Sequence, residues 1–172
     1  MADLLTHLLV GYSIGTLLSF RYERLRPAHV SLVMVGAASP DLNRIELVVS
    51  DGFVARVFGL PFSWEPLHTL VGSALVTGLL VLLVTPEQRK WAVALVAVGV
   101  VSHHVLDLLL ITPAGQSYAV FWPILEYRVP SGDLYQSTDR WPALTSGSCA
   151  ALLWAVRRRR DSAASESETP PD

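Results

Sequence analysis

The chain has 172 residues, of which 51% are hydrophobic and 16% are charged, and its formal net charge is −2. This length indicates one domain, and the apolar fraction excludes disorder for most of the chain. The small net charge argues against nucleic-acid binding, and the single cysteine, Cys149, excludes a disulfide scaffold. Two classes remain, a globular protein with a very apolar interior and a small membrane protein.

Five apolar segments follow one another along the chain, at residues 4–20, 28–39, 67–85, 91–112 and 141–156. A bilayer-spanning helix needs about 20 mostly apolar residues, with a workable range of roughly 17 to 25. The second segment reaches this length only if its helix continues past Pro40 and Asp41 with a kink. Soluble proteins also bury apolar helices, but five such segments would leave too little polar surface to cover the molecule. We therefore predict an all-α membrane helix bundle of about five transmembrane helices within residues 1–160, with the lipid bilayer as its partner.

The basic residues predict the orientation of this bundle. They gather in three clusters, at Arg21, Arg24 and Arg26, at Arg89 and Lys90, and at Arg157 to Arg160. With five spans, all three clusters lie on one side, which the positive-inside rule makes the cytoplasm. The sequence thus predicts a multi-pass protein of the cell membrane with an extracytoplasmic N-terminus and a cytoplasmic C-terminus. Residues 161–172 contain no large apolar side chain and are predicted to form a disordered acidic cytoplasmic tail.

Ionisable side chains within apolar segments are costly, and each one suggests a functional site. His103 and Asp107 are four residues apart and share one helix face, where they can reach the same ion. In the predicted topology, both residues lie at the same depth in the membrane as three further side chains, His7, Asp41 and His68. Imidazole and carboxylate ligands suit Zn, Mn, Fe or Mg. Spacing alone leaves a second interpretation open, in which these side chains only form structural hydrogen bonds.

Two other histidines are assigned differently. His104 lies about 100° round the helix from His103, so it cannot easily share the same site. It is either a packed neighbour of the site or a group that supports it. His29 lies beside the first basic cluster, and a structural role is favoured for it.

Five short motifs occur in an order that resembles a known family. They are Thr-His-Leu-Leu-Val-Gly at 6–11, Ala-Ser-Pro-Asp-Leu-Asn at 38–43, Leu-His-Thr-Leu at 67–70, Gly-Val-Val-Ser-His-His-Val-Leu-Asp at 99–107 and Phe-Trp-Pro at 121–123. Together they resemble the membrane-bound metal-dependent hydrolases, also described as LexA-binding, inner-membrane-associated hydrolases. The resemblance implies metal-dependent hydrolysis. It also implies that the histidines and aspartates of the family's motifs correspond to His7, Asp41, His68, His103 and Asp107.

The chain departs from the family pattern at two places. Asn43 replaces the second acid of the Pro-Asp-x-Asp element, which lowers the anionic ligand count. Trp64-Glu65-Pro66 replaces the Arg-Gly that often precedes the second histidine motif, and Leu67 replaces its Thr. A substrate-anion contact is then missing unless Arg44 supplies it.

The predicted function is hydrolysis of an amphiphilic ester or phosphoester by a metal-activated water, with Zn as the first choice of divalent metal ion. Asp41 or Glu65 is the predicted general base. The alternative is a membrane protein without enzymatic activity that binds or transports a divalent cation. A third option is a structural protein whose metal site has decayed, which Asn43 would fit. Few polar residues continue to the cytoplasmic side, which favours a closed pocket over a transport path.

Overall fold

A computed structural model describes residues 3–22 and 24–167. Within this part of the chain there are six α-helices and no β-strand, which confirms the all-α prediction. The helices are α1 (Leu4–Arg21), α2 (Pro27–Ala38), α3 (Asp51–Phe58), α4 (Leu70–Leu82), α5 (Arg89–Leu108) and α6 (Trp141–Ser167). Two 3₁₀ helices, Ser39–Leu47 and Glu65–His68, carry the chain into and out of α3.

Helix α2 is the centre of the bundle, because it packs against both α1 and α5. Helix α6 packs against α1, and α4 packs against α5. An apolar cluster built around Val33 and Leu95 holds α2 to α5, and Ile14 and Leu18 of α1 pack against it. This order places α1, α5 and the 3₁₀ helix that follows α2 around one common interior.

The distribution of polar and apolar side chains is inverted relative to a water-soluble bundle. On α4, Ser73 and Thr77 are buried, whereas Leu75 and Leu79 are 65% and 67% exposed. On α5, His103 is fully buried while Val101 and Val105 are more than half exposed. Apolar outer faces of this kind suit a hydrocarbon solvent, in which the polar groups must find their partners inside the protein.

The predicted count of five spans is not confirmed. Among the described residues, α5 is the one helix that is long and apolar enough to cross a membrane. Helix α4 is apolar but has only 13 residues, because it begins at Leu70 and ends at Leu82, whereas the predicted segment extends from 67 to 85. Residues 65–68 form a 3₁₀ helix instead, with Pro66 in its first turn.

The second apolar segment does continue past Pro40, but as a 3₁₀ helix. Proline has no N–H to donate and its ring clashes with the carbonyl of the preceding turn, so the α-helix ends at Ala38. At the other end of the chain, α6 extends through residues 161–167, so the beginning of the predicted disordered tail is helical. Residues 168–172 of that predicted tail lie outside the described residues.

Two glycines allow α2 and α5 to cross with their backbones in contact. A Cβ atom on Gly36 would overlap the Val96 carbonyl, and a Cβ atom on Gly99 would overlap the Val33 carbonyl oxygen. Small residues at such crossings let membrane helices approach closely. Because His103 and Asp107 follow Gly99 at intervals of four, the glycine contact also sets the distance of both side chains from α2.

We expect Gly99→Ala to destabilise the protein by about 2–3 kcal/mol, because the added methyl group meets backbone that cannot move aside. The measurement is the thermal unfolding midpoint of the purified protein in detergent, which should fall by several degrees.

Gly78→Ala is the matched control for this experiment. Gly78 also lies inside a helix, α4, but nothing lies within 4 Å of the added Cβ. Its midpoint should stay equal or rise slightly, because alanine favours the helix by about 0.5–1 kcal/mol over glycine. A Gly99→Ala protein as stable as the wild type would contradict the close crossing.

Candidate metal centre

Four separate elements bring five buried ionisable side chains together. Helix α1 supplies His7, the first 3₁₀ helix supplies Asp41, the second supplies His68, and α5 supplies His103 and Asp107. None of the five is more than 6% exposed. Two groups within this cluster, His7–His103–Asp107 and Asp41–His68–His103, each have potential ligand atoms within 4.8 Å of one another. These are the five residues that the sequence singles out.

The Asp107 carboxylate lies at the centre of three imidazoles. Its Oδ1 is 3.4 Å from His7 Nε2, and its Oδ2 is 2.8 Å from His68 Nε2 and 3.6 Å from His103 Nε2. The ring of His7 is stacked on the ring of His103 with centroids 3.8 Å apart. The His103–Asp107 contact within α5 is the one that the i,i+4 spacing predicts.

The protonation of His103 follows from its partner on α2. Its Nδ1 lies 2.7 Å from the Ala37 carbonyl oxygen, which can only accept a hydrogen bond, so Nδ1 carries the proton. In the neutral ring, Nε2 then presents a lone pair to the cluster. This buried Nε2 has no hydrogen-bond partner among the described residues.

His68 has the same arrangement with a different carbonyl. Its Nδ1 donates to the Pro40 carbonyl oxygen at 3.1 Å, so the Nε2 of the neutral ring again presents a lone pair to the cluster. That lone pair faces an Asp107 oxygen at 2.8 Å. Two lone pairs at this distance repel one another unless a cation or a proton lies between them.

Asp41 and His7 complete the donor set. No atom of the described residues forms a hydrogen bond of good geometry with either Asp41 oxygen, although Arg44 Nε lies 3.2 Å from Oδ1. Both ring nitrogens of His7 are likewise buried without a hydrogen-bond partner among the described residues. Leaving so many buried polar atoms unsatisfied costs free energy, and a bound cation would remove part of that cost.

The donor set fits a divalent metal ion. Around a tetrahedral ion with ligand bonds of about 2.1 Å, neighbouring ligand atoms are about 3.4 Å apart. The contacts of 3.4 and 3.6 Å from Asp107 to His7 and His103 are close to that spacing. Histidine ligands whose second nitrogen donates to a main-chain carbonyl are also the usual arrangement at metal sites. His103 belongs to both groups, and its Nε2 can ligate a single ion, so it can serve only one of the two groups at a time.

The other candidate residues lie outside this cluster. Glu65 begins the second 3₁₀ helix and is exposed, and it is not part of either group found among the described residues. Asn43 is half-buried, and its side-chain oxygen has no hydrogen-bond partner in the described part of the chain. His29 accepts a hydrogen bond from the Arg26 backbone N–H at the start of α2, which is the structural role that was favoured.

His104 is adjacent to the cluster but its nitrogens are directed elsewhere. Its Nδ1 is hydrogen-bonded to the Tyr118 hydroxyl at 2.6 Å, and its Nε2 to the Ser73 hydroxyl at 3.2 Å. The ring of Tyr118 lies against His68 with centroids 4.6 Å apart. Burial raises the pKa of the Tyr118 phenol, and the Asp107 and Asp41 carboxylates raise it further, so the phenol keeps its proton.

Sequence reasoning missed Tyr118, Ser73 and the two carbonyl acceptors. Ser73 is a polar residue within an apolar helix, the same signal that identified the histidines. Tyr118 gives no such signal, because it lies in the irregular segment between α5 and α6.

The same irregular segment returns to the end of α5 and satisfies its last carbonyls. The Tyr135 hydroxyl donates to the Leu106 carbonyl at 2.8 Å, and the Gly132 N–H donates to the Leu108 carbonyl at 2.7 Å. The Leu134 N–H donates to the Leu109 carbonyl. Burial, with a further contribution from Asp107, raises the pKa of Tyr135 to about 12.

A comparison with protein families gives a match that covers almost the entire chain. No curated protein and no solved structure is significantly similar to it. The family match agrees with the membrane-associated, metal-dependent hydrolase resemblance that the motifs indicate, and with the inverted polarity of the fold. The chain belongs to the family described as YdjM inner membrane protein, whose model matches residues 1–166.

Proposed function

We propose that the protein is a membrane-embedded metal-dependent hydrolase whose metal ligands are His7, His68, His103 and Asp107, with Asp41 beside them as the general base. The observation that supports this most is the pair of carbonyl-bound histidines. The Nδ1 of His68 and of His103 each lies against a main-chain carbonyl oxygen, so in the neutral rings both Nε2 lone pairs are directed at the same carboxylate. A purely structural hydrogen-bond cluster would instead direct N–H groups at that carboxylate.

A bound divalent cation would supply Lewis acidity and a water of lowered pKa. Three imidazoles with carboxylates favour Zn²⁺, while Mn²⁺, Fe²⁺ and Mg²⁺ remain alternatives. Of the two carboxylates predicted as general base, Asp41 is the one within the cluster, and its oxygens can accept a proton from an attacking water. Arg44, 3.2 Å from Asp41 Oδ1, would orient that carboxylate.

A cleft that is lined by Arg44, the partner of Asp41, supports an amphiphilic ester or phosphoester as substrate. It has a volume of about 510 Å³, and Arg44 and Arg140 line it together with Asp3 and Asp139. Leu144, which is 68% exposed on α6, forms its apolar side. Arg44 contacts both the cleft and Asp41, so it connects a group bound in the cleft with the cluster.

We also propose that this cleft faces the non-cytoplasmic side of the membrane. Arg160 lies over the ring of Phe20 at 4.5 Å, so the first and last basic clusters share one end of the bundle. His7 lies near the opposite end of α1 from Arg21, about 21 Å away at 1.5 Å per residue. The positive-inside rule then places the arginines in the cytoplasm and the proposed metal centre on the other side.

Asp107→Asn should remove the bound metal, because an amide that replaces the central carboxylate is a much weaker ligand. We expect at least a tenfold drop in metal content, measured by elemental analysis of the purified protein in detergent. Asp133→Asn makes the same chemical change at an exposed aspartate outside the cluster and should keep the metal. Equal metal content in the two variants would mean that Asp107 is only a structural hydrogen-bond partner.

The two adjacent histidines provide a second test of the ligand set. His103→Gln should lose metal, whereas His104→Gln should retain it, because both nitrogens of His104 are hydrogen-bonded to Ser73 and Tyr118. The reverse result would show that α5 presents a different face to the metal.

Asp41→Asn should lower metal-dependent hydrolysis by a factor of about 10² to 10⁴, the usual contribution of a general base. The assay uses nitrophenyl esters and nitrophenyl phosphodiesters with short and long chains, and metal content is measured in parallel. Glu65→Gln is the control, because its side chain is exposed outside the cluster, and it should leave the rate unchanged. A metal-loaded wild-type protein without hydrolytic activity on any of these compounds would favour the cation-binding or transport alternative.

Cysteine labelling tests the orientation. In a Cys149→Ser background, Ser137→Cys should react with an impermeant reagent in intact spheroplasts, because residue 137 lines the cleft. Ser162→Cys, at the exposed end of α6, should react only after the cytoplasmic side is opened. The opposite pattern would reverse the topology.

A further inference from the structure

A second cleft lies at the arginine-rich end of the bundle, away from the proposed metal centre. Tyr12 of α1, Pro27 at the start of α2, and Trp154, Arg157 and Arg158 of α6 line it, and its volume is about 510 Å³. We propose that this cleft, called the arginine cleft below, binds the headgroup of an anionic phospholipid. The proposal does not depend on the hydrolase activity.

The charges of the arginine cleft favour a phosphodiester. Arg157 and Arg158 present two guanidinium groups, each of which can bind phosphate oxygens in bidentate fashion. The acidic residue at the cleft, Asp161, is 74% exposed at its side chain and lies 3.9 Å from Arg157 Nε. With two arginines and one aspartate on its lining, the arginine cleft keeps a net positive charge.

Aromatic rings hold several of the neighbouring arginines in place. The guanidinium of Arg158 lies over Trp154 at 5.4 Å, and that of Arg160 lies over Phe20 at 4.5 Å. Cation–π contacts of this kind reduce the rotamer freedom that a ligand would otherwise have to remove. Tryptophan and tyrosine beside arginine are also typical of the headgroup level of a membrane.

The walls of the cleft favour a lipid over a free phosphate. Tyr12 and Trp154 contribute ring surface that a small inorganic anion would leave uncovered. On α1, Leu5 lies about two helical turns from Tyr12, on the same helix face, and is 53% exposed. An acyl chain can therefore continue along α1 from a headgroup held by Arg157 and Arg158. Basic pockets between membrane helices bind anionic headgroups in this way.

The experiment uses the delipidated full-length protein in a neutral detergent. Dihexanoyl phosphatidylglycerol, dihexanoyl phosphatidylcholine and inorganic phosphate are titrated separately, and the thermal midpoint and the lipid adducts in native mass spectra are recorded. We expect saturable binding of phosphatidylglycerol alone. Arg157→Gln/Arg158→Gln should weaken this binding at least tenfold.

The matched control is Arg159→Gln, which removes one charge from the same run but does not line the cleft. It should change the apparent affinity less than twofold. Arg158→Lys serves as a second variant that keeps the charge and loses the bidentate geometry, and we expect it to weaken binding by about threefold to tenfold. The thermal midpoint of each variant without added lipid shows whether it is folded.

Three outcomes would overturn the proposal. Equal binding of phosphatidylcholine would show that the headgroup charge is not recognised. Equal stabilisation by inorganic phosphate would make the cleft an anion site without lipid specificity. An equal loss in Arg159→Gln would show that the overall charge of the arginine run, and not the cleft, attracts the lipid.

Discussion

The hydrogen bond from His103 Nδ1 to the Ala37 carbonyl is the interaction on which the proposed metal centre depends. A 3₁₀ helix would close a bond between the Ala37 carbonyl and the nitrogen of Pro40, but proline has no hydrogen to donate. The carbonyl is therefore available to α5, and the contact between Gly36 and Gly99 brings it within 2.7 Å of the imidazole. The end of α2 before Pro40, the close crossing of α2 and α5, and the proton on His103 Nδ1 therefore depend on one another.

Charge balance gives a second reason why this interior suits a cation. With neutral imidazoles, the carboxylates of Asp41 and Asp107 contribute two negative charges and Arg44 contributes one positive charge. Because the Arg44 side chain is 36% exposed and lies at the edge of the cluster, a divalent ion would balance the two buried carboxylates, and it would ligate some of the nitrogens that otherwise lack partners. In a membrane interior, where water cannot solvate these groups, such compensation is worth more than at a protein surface.

Much of this arrangement could be predicted from the sequence because ionisable residues are conspicuous in apolar segments. The i,i+4 spacing of His103 and Asp107 predicted their shared face, and the choice between the adjacent histidines followed from the helical period. The carbonyl partners could not be predicted, since any residue type has a carbonyl and Ala37 gives no signal of its own. Helix lengths were less predictable, because Pro66 converts the start of the third apolar segment into a 3₁₀ helix.

The return of residues 132–135 to the end of α5 has a consequence for local opening. The last carbonyls of a helix normally lack partners, so helix ends fray and their amides exchange hydrogen with solvent fastest. At α5, Gly132, Leu134 and Tyr135 occupy those carbonyls within one turn of Asp107. The amides of this final turn should therefore exchange through unfolding of the whole bundle. The helix end nearest the buried carboxylate is then among the most slowly opening parts of the molecule.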